Sequence, residues 1–410
     1  MNILLDEANK CLVCKNARCQ KNCPIDTPIP QIISLYKEGK IKEAGEILFN
    51  NNPLSVICAI VCPHEDQCRG NCVKGIKGEP VHFHEIEQEI STKYLEELQL
   101  TKPKSNGKKV AVVGSGPAGM TVALELALKG YDVTIFEKNE KIGGVLTYGI
   151  PEFRLPKTYI ELLEKHLKSV GVKIKINSLV GPILTIDKLF KDGYKSIFLG
   201  TGVWNPRELG IPGESFGNVH YAIDYLKSPK SYDLGNNVIV IGGGNVAMDA
   251  ARSAKHYGAE KVTIAYRREI EDMPATRHEI KETMNDGVIF DTLKAPVEIL
   301  DKGIVFAKTK KIPSEDGGRA SVVTVENSEE IYECDTILIA AGQVPKNTIV
   351  SNNAGFELQR GGLLVTNELG ETTRPGVFCA GDVAYGAATV IKAVVSAKEI
   401  AESMDNFMQA

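Results

Sequence analysis

Apolar residues recur at helical spacing in the first hundred residues of the chain. The stretch Ile29 to Leu48 carries apolar side chains three and four residues apart and is interrupted near Gly39, which predicts two short helices joined by a turn. A further helix is predicted over Glu85 to Gln99. Residues 101–109, TKPKSNGKK, are polar, contain Pro and Gly and lack periodicity, so they predict a linker and a domain boundary near residue 105.

Beyond the linker the pattern changes to short apolar runs, each followed by a glycine-rich loop and a helix. Val110 to Val113 leads into the loop Gly114 to Gly119, a helix to Lys129 and a second apolar run from Asp132 to Phe136. The same order returns in residues 238–266. Two strand–loop–helix–strand units predict an α/β protein with two Rossmann-like dinucleotide-binding domains, each built on a largely parallel sheet.

Composition and charge exclude several classes of protein. The chain has 410 residues, of which 43% are apolar and 24% charged, so it is not a collagen, a coiled coil or a disordered chain. Its net charge is −4 and no basic run stands out, so we expect neither nucleic acid nor an anionic membrane as partner. The sequence shows neither a secretory signal nor the ~18 consecutive apolar residues of a membrane span, and we expect a cytoplasmic protein.

Cysteine is unevenly distributed along the chain. Eight of the ten cysteines lie between Cys11 and Cys72, whereas Cys334 and Cys379 stand alone in or beside apolar strands and are expected to be core residues. Since a cytosolic chain keeps its thiols reduced, the crowded cysteines favour a metal site over disulfides.

The spacing of the crowded cysteines favours iron–sulfur clusters. Cys-Pro in a run of closely spaced cysteines is typical of two-cluster ferredoxins, in which the fourth thiolate of a run reaches the other cluster. Structural zinc is the alternative, but only one Cys-x2-Cys pair occurs and the other gaps are longer. The ferredoxin pattern assigns Cys11, Cys14, Cys19 and Cys72 to one cluster and Cys23, Cys62 and Cys68 to a second. We expect the neighbouring His64, His82 and His84 to be surface residues rather than ligands.

The two glycine loops predict different nucleotides. After the first loop the second strand ends at Glu137, a carboxylate placed to accept hydrogen bonds from ribose hydroxyls, which suits FAD or NAD. After the second loop the equivalent strand ends in Arg267 and Arg268, whose guanidinium groups suit a 2′-phosphate and therefore favour NADPH over NADH. The candidate binding residues are Gly114, Gly116, Pro117, Ala118, Gly119, Glu137 and Lys138 for the first nucleotide, and Gly242, Gly244, Asn245, Val246, Arg267 and Arg268 for the second.

A later segment belongs with the first site. A short apolar strand ends at Gly381-Asp382 and is followed by a helix, a placement that resembles flavoproteins with two dinucleotide domains. The resemblance implies that Asp382 binds the ribityl chain of FAD and that the helix N-terminus at Ala388, Thr389 and Val390 faces the flavin, while Gly143 and Gly144 also match that superfamily. The FAD domain is then split around the NADPH domain. We expect an iron–sulfur domain over 1–104, FAD-binding parts over 105–232 and 335–410, and an NAD(P)H domain over 233–334.

The motifs together resemble one family. These are CLVCKNARCQKNCP, NNPLSVICAIVCPHEDQCRGNCVKGIKGEP, both glycine loops and GVFCAGDVAYGAATVI, and they look like the small subunits of glutamate synthase, the amino-terminal part of dihydropyrimidine dehydrogenase and the large subunits of ferredoxin-dependent NADP transhydrogenases. The resemblance implies two [4Fe–4S] clusters, FAD and NADPH in one electron-input module. It also implies that Glu87 completes the second cluster and Cys58 is not a ligand, with Gln88 and Cys58 as the alternatives.

The function implied is that of an NAD(P)H-dependent oxidoreductase subunit without a catalytic acid, base or nucleophile. A hydride passes from NADPH to FAD and single electrons pass through the clusters to a partner, an FMN/iron–sulfur protein such as the glutamate synthase large subunit, or a ferredoxin. A separate partner is expected because the cluster segment and two nucleotide domains account for the 410 residues. The alternatives are the input subunit of a dihydropyrimidine dehydrogenase or of an electron-bifurcating ferredoxin:NADP oxidoreductase, and a non-catalytic redox sensor with a damaged nicotinamide site.

Overall fold

The fold is described from a computed structural model, which covers residues 3–312 and 321–410. The chain divides into two compact units. The first comprises Met1–Thr147, Glu152–Val203 and Val344–Ala410, and the second comprises Tyr148–Pro151 and Trp204–Gln343. The iron–sulfur segment and both predicted FAD segments therefore contribute to one unit.

The first hundred residues fold into helices around a small apolar core. Ile32, Ile33, Leu48, Ile86 and Ile90 are fully buried there, which accounts for the helical spacing of the apolar positions. The three predicted helices are confirmed as α3, α4 and α6, and three short helices accompany them. The six are α1 (Ile3–Asn9), α2 (Arg18–Lys21), α3 (Ile29–Lys37), α4 (Ile41–Asn51), α5 (Ser55–Val61) and α6 (Phe83–Glu97).

A five-stranded parallel sheet forms the centre of the rest of the first unit. Its strands are β1 (Lys109–Val113), β2 (Asp132–Phe136), β3 (Lys173–Lys175), β4 (Tyr194–Leu199) and β16 (Val377–Cys379), in the order β16-β4-β1-β2-β3. The helices are α7 (Pro117–Leu128), α8 (Val145–Tyr148), α9 (Thr158–Ser169), α10 (Ile186–Lys191), α14 (Asp382–Tyr385) and α15 (Val390–Gln409). Parallel pairing of β1 with both β2 and β4 confirms the predicted Rossmann-like arrangement.

The second unit holds another five-stranded parallel sheet. Its strands are β6 (Val219–Tyr221), β7 (Asn237–Ile241), β8 (Lys261–Tyr266), β9 (Ile289–Thr292) and β14 (Thr336–Ile339), in the order β6-β14-β7-β8-β9. Its helices are α11 (Ala222–Tyr225), α12 (Asn245–His256) and α13 (Arg277–Asn285). Because β6 precedes residue 233 and β14 follows residue 334, this sheet extends beyond the range 233–334 expected for the nucleotide domain.

An antiparallel sheet in the second unit was not expected from the sequence. It consists of β10 (Lys294–Leu300), β11 (Gly303–Ile312), β12 (Ser321–Thr324) and β13 (Glu330–Glu333), with β10, β12 and β13 all pairing β11. Two further strands have two residues each, β5 (Asn205–Pro206) and β15 (Gln343–Val344). Short 3₁₀ turns occur at Val73–Ile76, Pro229–Ser231, Ile270–Asp272 and Val350–Asn352.

Membrane-spanning helices were searched for in residues 3–312 and 321–410. No single helix there is long and apolar enough to cross a membrane. The pair α4 and α5 passes the test of length and composition together, but the two helices are bent by 84° relative to each other.

Candidate cofactor sites

The carboxyl ends of four parallel strands bring the first set of predicted residues to one edge of the sheet. Strand β1 is followed by the glycine loop, β2 by Glu137, β4 by Gly200 and β16 by Gly381. Ligands of open parallel α/β sheets bind at this edge, in the crevice outside the strand ends. Residues far apart in the chain therefore meet at one candidate nucleotide site.

The first glycine loop leaves open space at the start of α7. A Cβ atom on Gly114, which has a φ of +95°, would lie 2.5 Å from the Gly200 oxygen, and one on Gly119 would lie 2.0 Å from the Gly114 oxygen. A Cβ on Gly116 would meet nothing within 4 Å. Since Gly116 is the N-cap of α7 and no side chain caps the helix, backbone amides of the first turn face this space. The loop fits a pyrophosphate.

Glu137 is buried and held by the glycine loop itself. Its Oε2 atom accepts hydrogen bonds from the Ser115 amide, at 3.1 Å, and from the Ser115 hydroxyl, at 2.6 Å. Its Oε1 atom accepts one from the Asn139 amide, at 2.8 Å. The Gly143 amide donates to the Ser115 oxygens, which joins the second glycine pair to the same network. Ser115 was missed from the sequence, although its place between Gly114 and Gly116 is the signal that identifies it.

Some of the other residues predicted for this site are buried, and one is exposed. Pro117 and Ala118 are buried in the first turn of α7, and a Cβ on Gly144 would lie 2.9 Å from the Gly116 Cα atom. The side chain of Lys138 is exposed next to Glu137. Lys138 therefore lies at the edge of the site and not among its buried residues.

Asp382 and the start of α15 complete the first nucleotide site. A Cβ on Gly381 would lie 3.3 Å from the Ala118 Cβ atom, so this turn abuts the start of α7. The Ala388 amide donates to Asp382 Oδ1, at 3.2 Å, and burial raises the pKa of Asp382 to about 6. Thr389 is the N-cap of α15, and its hydroxyl oxygen accepts from the Lys392 amide, so the helix begins at Val390 beside the aspartate. With the open glycine loop, these residues fit FAD.

The second glycine loop has the same construction and an additional cover. A Cβ on Gly242, whose φ is +148°, would lie 2.4 Å from the Ala340 oxygen, whereas one on Gly244 would meet only Pro274, at 3.9 Å. The Asn245 side chain accepts a hydrogen bond from the Thr276 amide, at 3.0 Å. The segment Met273–Thr276, to which the sequence assigns no role, is thereby held against the loop.

The two arginines after β8 differ in their surroundings. Arg267 has an exposed side chain, whereas Arg268 is half-buried and its charge contributes to lowering the pKa of Asp272, whose main cause is the hydrogen bond from Lys311. Val246 is half-buried in the first turn of α12, which no side chain caps. The loop, the free helix start and an exposed guanidinium fit a nucleotide that carries a 2′-phosphate.

The first cysteine group lines one small cavity. Cys11, Cys14, Cys19 and Cys72 all lie on its wall, so the structure brings together the four residues assigned to the first cluster. Burial raises the pKa of the Cys19 thiol to about 11 and also raises that of Cys11. The Val13 amide donates to Cys11 Sγ at 3.4 Å, a contact of the kind that tunes cluster sulfurs.

The second group combines three cysteines with a buried carboxyl group. Burial, followed by the charges of Glu87 and Cys23, raises the pKa of Cys68. A hydrogen bond with Cys58, burial and the charge of Glu87 raise that of Cys62. Glu87 is 7% exposed, and burial raises its pKa to about 8. The structure therefore places Glu87 among the thiols assigned to the second cluster, with buried Cys58 beside Cys62.

Gln88 lies elsewhere on α6. It lines a groove together with Leu4, Glu85 and Glu89, and none of the cysteines borders that groove. A helix turns by about 100° per residue, so neighbours on α6 face different directions. This placement favours Glu87 over Gln88 as the eighth ligand.

Both groups have donor sets that suit an iron–sulfur cluster. Four thiols line one cavity in the first group, and the second combines three thiols with the Glu87 carboxyl group. Burial disfavours a thiolate without a nearby positive charge, which iron would supply. In residues 3–312 and 321–410, no group of three or more His, Cys, Asp or Glu is placed to hold a metal ion.

Two features near the second group were not found from the sequence. The Thr27 hydroxyl lies 3.3 Å from Cys23 Sγ, and it is also 3.2 Å from Asn51 Oδ1. The rings of His64 and His84 stack with their centroids 4.3 Å apart, and both are half-buried rather than on the surface as expected. Stacking against each other, together with the contact of His64 Nε2 with the Cys58 oxygen at 3.2 Å, shields part of both rings from solvent.

Comparisons with known proteins cover nearly the whole chain. The family described as pyridine nucleotide-disulphide oxidoreductase matches residues 108–401, and the family described as dihydropyrimidine dehydrogenase domain II, 4Fe-4S cluster, matches residues 2–98. The small chain of NADPH glutamate synthase from Halomonas elongata is 32% identical over 98% of this chain and 90% of its own length. The PreT subunit of NAD-dependent dihydropyrimidine dehydrogenase from Escherichia coli K12 is 31% identical over 99% of this chain and 95% of its own.

Solved structures share the fold. FprA from Mycobacterium tuberculosis, in complex with NADPH, superposes with a TM-score of 0.63 at 18% identity. The match covers 74% of this chain and 85% of FprA. The part of this chain that the match covers therefore has the same fold as FprA.

Proposed function

Because this chain belongs to the pyridine nucleotide-disulphide oxidoreductase family, in a group with glutamate synthase small chains, we propose that it is the electron-input subunit of a glutamate synthase. It is an NAD(P)H-dependent flavin oxidoreductase with an N-terminal iron–sulfur domain. NADPH would supply a hydride to FAD, and two [4Fe–4S] clusters would carry single electrons to a partner subunit.

The residues of the chain bind and orient these groups. Gly116 leaves room for the FAD pyrophosphate, Glu137 accepts from ribose hydroxyls, and Asp382 accepts from the ribityl chain. The N-terminus of α15 attracts negative charge at the flavin edge. In the second unit, Gly244 makes room for the NADPH pyrophosphate and Arg267 pairs with the 2′-phosphate. No side chain has to donate or remove a proton.

One observation carries the proposal: the proposed iron ligands and the flavin loops lie in the same compact unit. Hydrogen bonds join helices of the iron–sulfur segment to helices of the flavin-binding part of this unit. His166 Nε2 on α9 donates to the Leu95 oxygen on α6, at 2.8 Å. Lys398 Nζ on α15 donates to the carbonyl oxygens of Asn50 and Asn51 at the end of α4, at 2.7 and 2.9 Å. Helix α4 of the iron–sulfur segment is thus attached to α15, which begins beside Asp382, and α6 is attached to α9.

Anaerobic titration of the purified protein with NADPH tests the proposal. Optical spectra should show bleaching of bound FAD, and paramagnetic resonance should then show reduced iron–sulfur clusters. Iron analysis should give about eight atoms per chain for two [4Fe–4S] clusters. Bound FAD without cluster signals, or about two zinc and no iron per chain, would overturn it.

The partner and the compartment are part of the proposal. Glutamate synthase small chains at 31–32% identity support a large glutamate synthase subunit as electron acceptor. Copurification and NADPH-dependent formation of glutamate from glutamine and 2-oxoglutarate by the pair would support that choice. A cytoplasmic location agrees with the assignment of seven cysteines to iron–sulfur clusters, since a cytosolic chain keeps its thiols reduced.

A dihydropyrimidine dehydrogenase is the second candidate. It is favoured by the similarity to PreT over 99% of this chain. The five-residue gap between Cys62 and Cys68 resembles the dihydropyrimidine and transhydrogenase patterns more than that of bacterial glutamate synthase. Dihydropyrimidine formation with the copurified partner, without glutamate formation, would decide for this candidate. An electron-bifurcating ferredoxin:NADP oxidoreductase would instead divide the electrons of NADPH between a ferredoxin and a second acceptor.

A further inference from the structure

Positive charge is concentrated around the first cysteine group. Residues 9–25 contain four cationic side chains, those of Lys10, Lys15, Arg18 and Lys21, and no Asp or Glu. Residues 67–78 contain three more and again no acidic residue. The whole chain has a net charge of −4. The chain segments that carry the first-cluster cysteines are therefore basic in an otherwise slightly acidic protein.

The same surroundings expose apolar side chains. Leu12 is 61% exposed, Val13 41% and Ile76 63%. Leu12 lies between two of the cysteines, and it borders the cysteine-lined cavity together with Arg18 and Lys74. We define the cluster face as Leu12, Val13, Lys15, Arg18, Lys74, Ile76 and Lys77. Leu12, Arg18 and Lys74 line the cavity of the first cluster site, and the other four are exposed residues within three positions of them in the chain.

The cations of the cluster face have no acidic partner in the described part of the chain. Lys15, Arg18, Lys74 and Lys77 are all exposed, and no Asp or Glu oxygen lies within 4 Å of their charged groups. Lys10, just outside the face, differs because Glu7 Oε2 is 2.5 Å from its Nζ atom. A partner protein that covers the exposed apolar side chains and carries negative charges opposite these four cations would bind favourably here.

We propose that the cluster face is the docking surface for an acidic electron-accepting protein, whose contact surface has carboxylates around an apolar centre. This rests on the proposed function, since it adds where and by what chemistry the acceptor binds. The negative net charge of the remainder of the chain disfavours an acidic protein elsewhere. Local attraction at the cluster face therefore orients the acceptor toward the first cluster.

Charge reversal on the cluster face tests the proposal. The test variant is Lys15→Glu with Lys77→Glu, which lie on the cluster face but not on the wall of the cavity. The matched control is Lys173→Glu with Lys191→Glu, two exposed lysines of the same compact unit. The binding probes are an acidic plant-type [2Fe–2S] ferredoxin and a basic c-type cytochrome, and the holoenzyme is titrated with each by calorimetry at low and high salt.

The test variant should bind the ferredoxin about tenfold or more weakly at low salt, and the difference should shrink at high salt. It should bind the cytochrome more tightly, while the control variant should match the unmodified protein. Equal weakening in both variants, or no change in either, would overturn the proposal. So would a change confined to the spectrum of the first cluster, because the cations would then serve only to balance the cluster charge.

Two further measurements distinguish failure of the docking surface from failure of the proposed function. NADPH-driven reduction of a small neutral quinone should be unchanged in the test variant, since neither lysine contacts a nucleotide site. Replacing Leu12 and Ile76 by serine should weaken ferredoxin binding at both salt concentrations, because apolar contact is not screened. Clusters that NADPH cannot reduce would refute the proposed function, whereas reducible clusters with unaltered carrier binding would refute the docking surface alone.

Discussion

Replacing Glu87 by alanine should remove the second iron–sulfur cluster and leave the first. Glu87 is buried on α6, close enough to Cys62 and Cys68 for its charge to raise the pKa of both thiols, and its removal leaves that cluster with three thiolates. The first cluster keeps Cys11 and its three partners on a separate cavity wall. Cys58→Ala is the matched variant, since Cys58 is buried beside the same site and is not assigned as a ligand.

The burial of Glu87 gives the free energy that coordination to iron has to offset. Burial raises the pKa of Glu87 from 4.5 to about 8, so keeping the carboxylate ionised without a metal costs ~5 kcal/mol. Coordination to iron would offset that cost. We therefore expect iron to fall from about eight to about four atoms per chain in Glu87→Ala and to stay near eight in Cys58→Ala. Glu87→Gln should keep the cluster with an altered spectrum, since an amide oxygen can still coordinate.

Iron and sulfide analysis with paramagnetic resonance of the reduced protein measures these outcomes. Cys14→Ala is the reciprocal control, because it should remove the first cluster and spare the second. Full iron content in Glu87→Ala together with half content in Cys58→Ala would refute the reasoning and make Cys58 the eighth ligand.

Three further changes test the other sites. Gly116→Ala should keep the fold, because a Cβ there meets nothing within 4 Å, but should weaken FAD binding about tenfold or more by filling the pyrophosphate space. Arg267→Ala should lose about 1.5–3 kcal/mol of NADPH binding, seen as a KM about ten- to hundredfold higher, with KM for NADH unchanged. Burial lowers the pKa of His166 below 6.5, so the unfolded chain takes up its proton first as pH falls. The free energy of unfolding should therefore drop from about pH 7 toward pH 5.

Each of these predictions has its own control. Gly217→Ala introduces a Cβ that also meets nothing, and it should leave FAD affinity unchanged. Lys261→Ala removes an exposed charge from the start of β8, the strand that Arg267 follows, and should leave both KM values unchanged. His166→Gln can still donate to the Leu95 oxygen but does not titrate, so its stability should depend less on pH in that range. Equal pH dependence in both proteins would contradict the role of His166.

The local elements follow from the sequence because their causes are local. Apolar spacing predicted α3, α4 and α6, and the strand–glycine loop–helix pattern predicted β1 with α7 and β7 with α12. A tight turn before a helix excludes side chains wherever it occurs, so the glycines mark both nucleotide loops without reference to the rest of the chain. The family, the fold class and the cofactor classes could be predicted for this reason.

Only the tertiary structure decided which distant residues meet. The spacing of the cysteines already assigned Cys72 to the same cluster as Cys11, but it left Glu87, Gln88 and Cys58 as alternatives for the second cluster. The packing of α6 places Glu87 near Cys62 and Cys68 and places Gln88 on a separate groove. Ser115 donates hydrogen bonds to Glu137 at the flavin site because parallel pairing places the ends of β1 and β2 side by side. The wider limits of the second sheet, and its antiparallel neighbour, likewise depend on strand pairing between residues far apart. Long-range packing is not encoded in any one segment, and that is why the sequence alone left these points open.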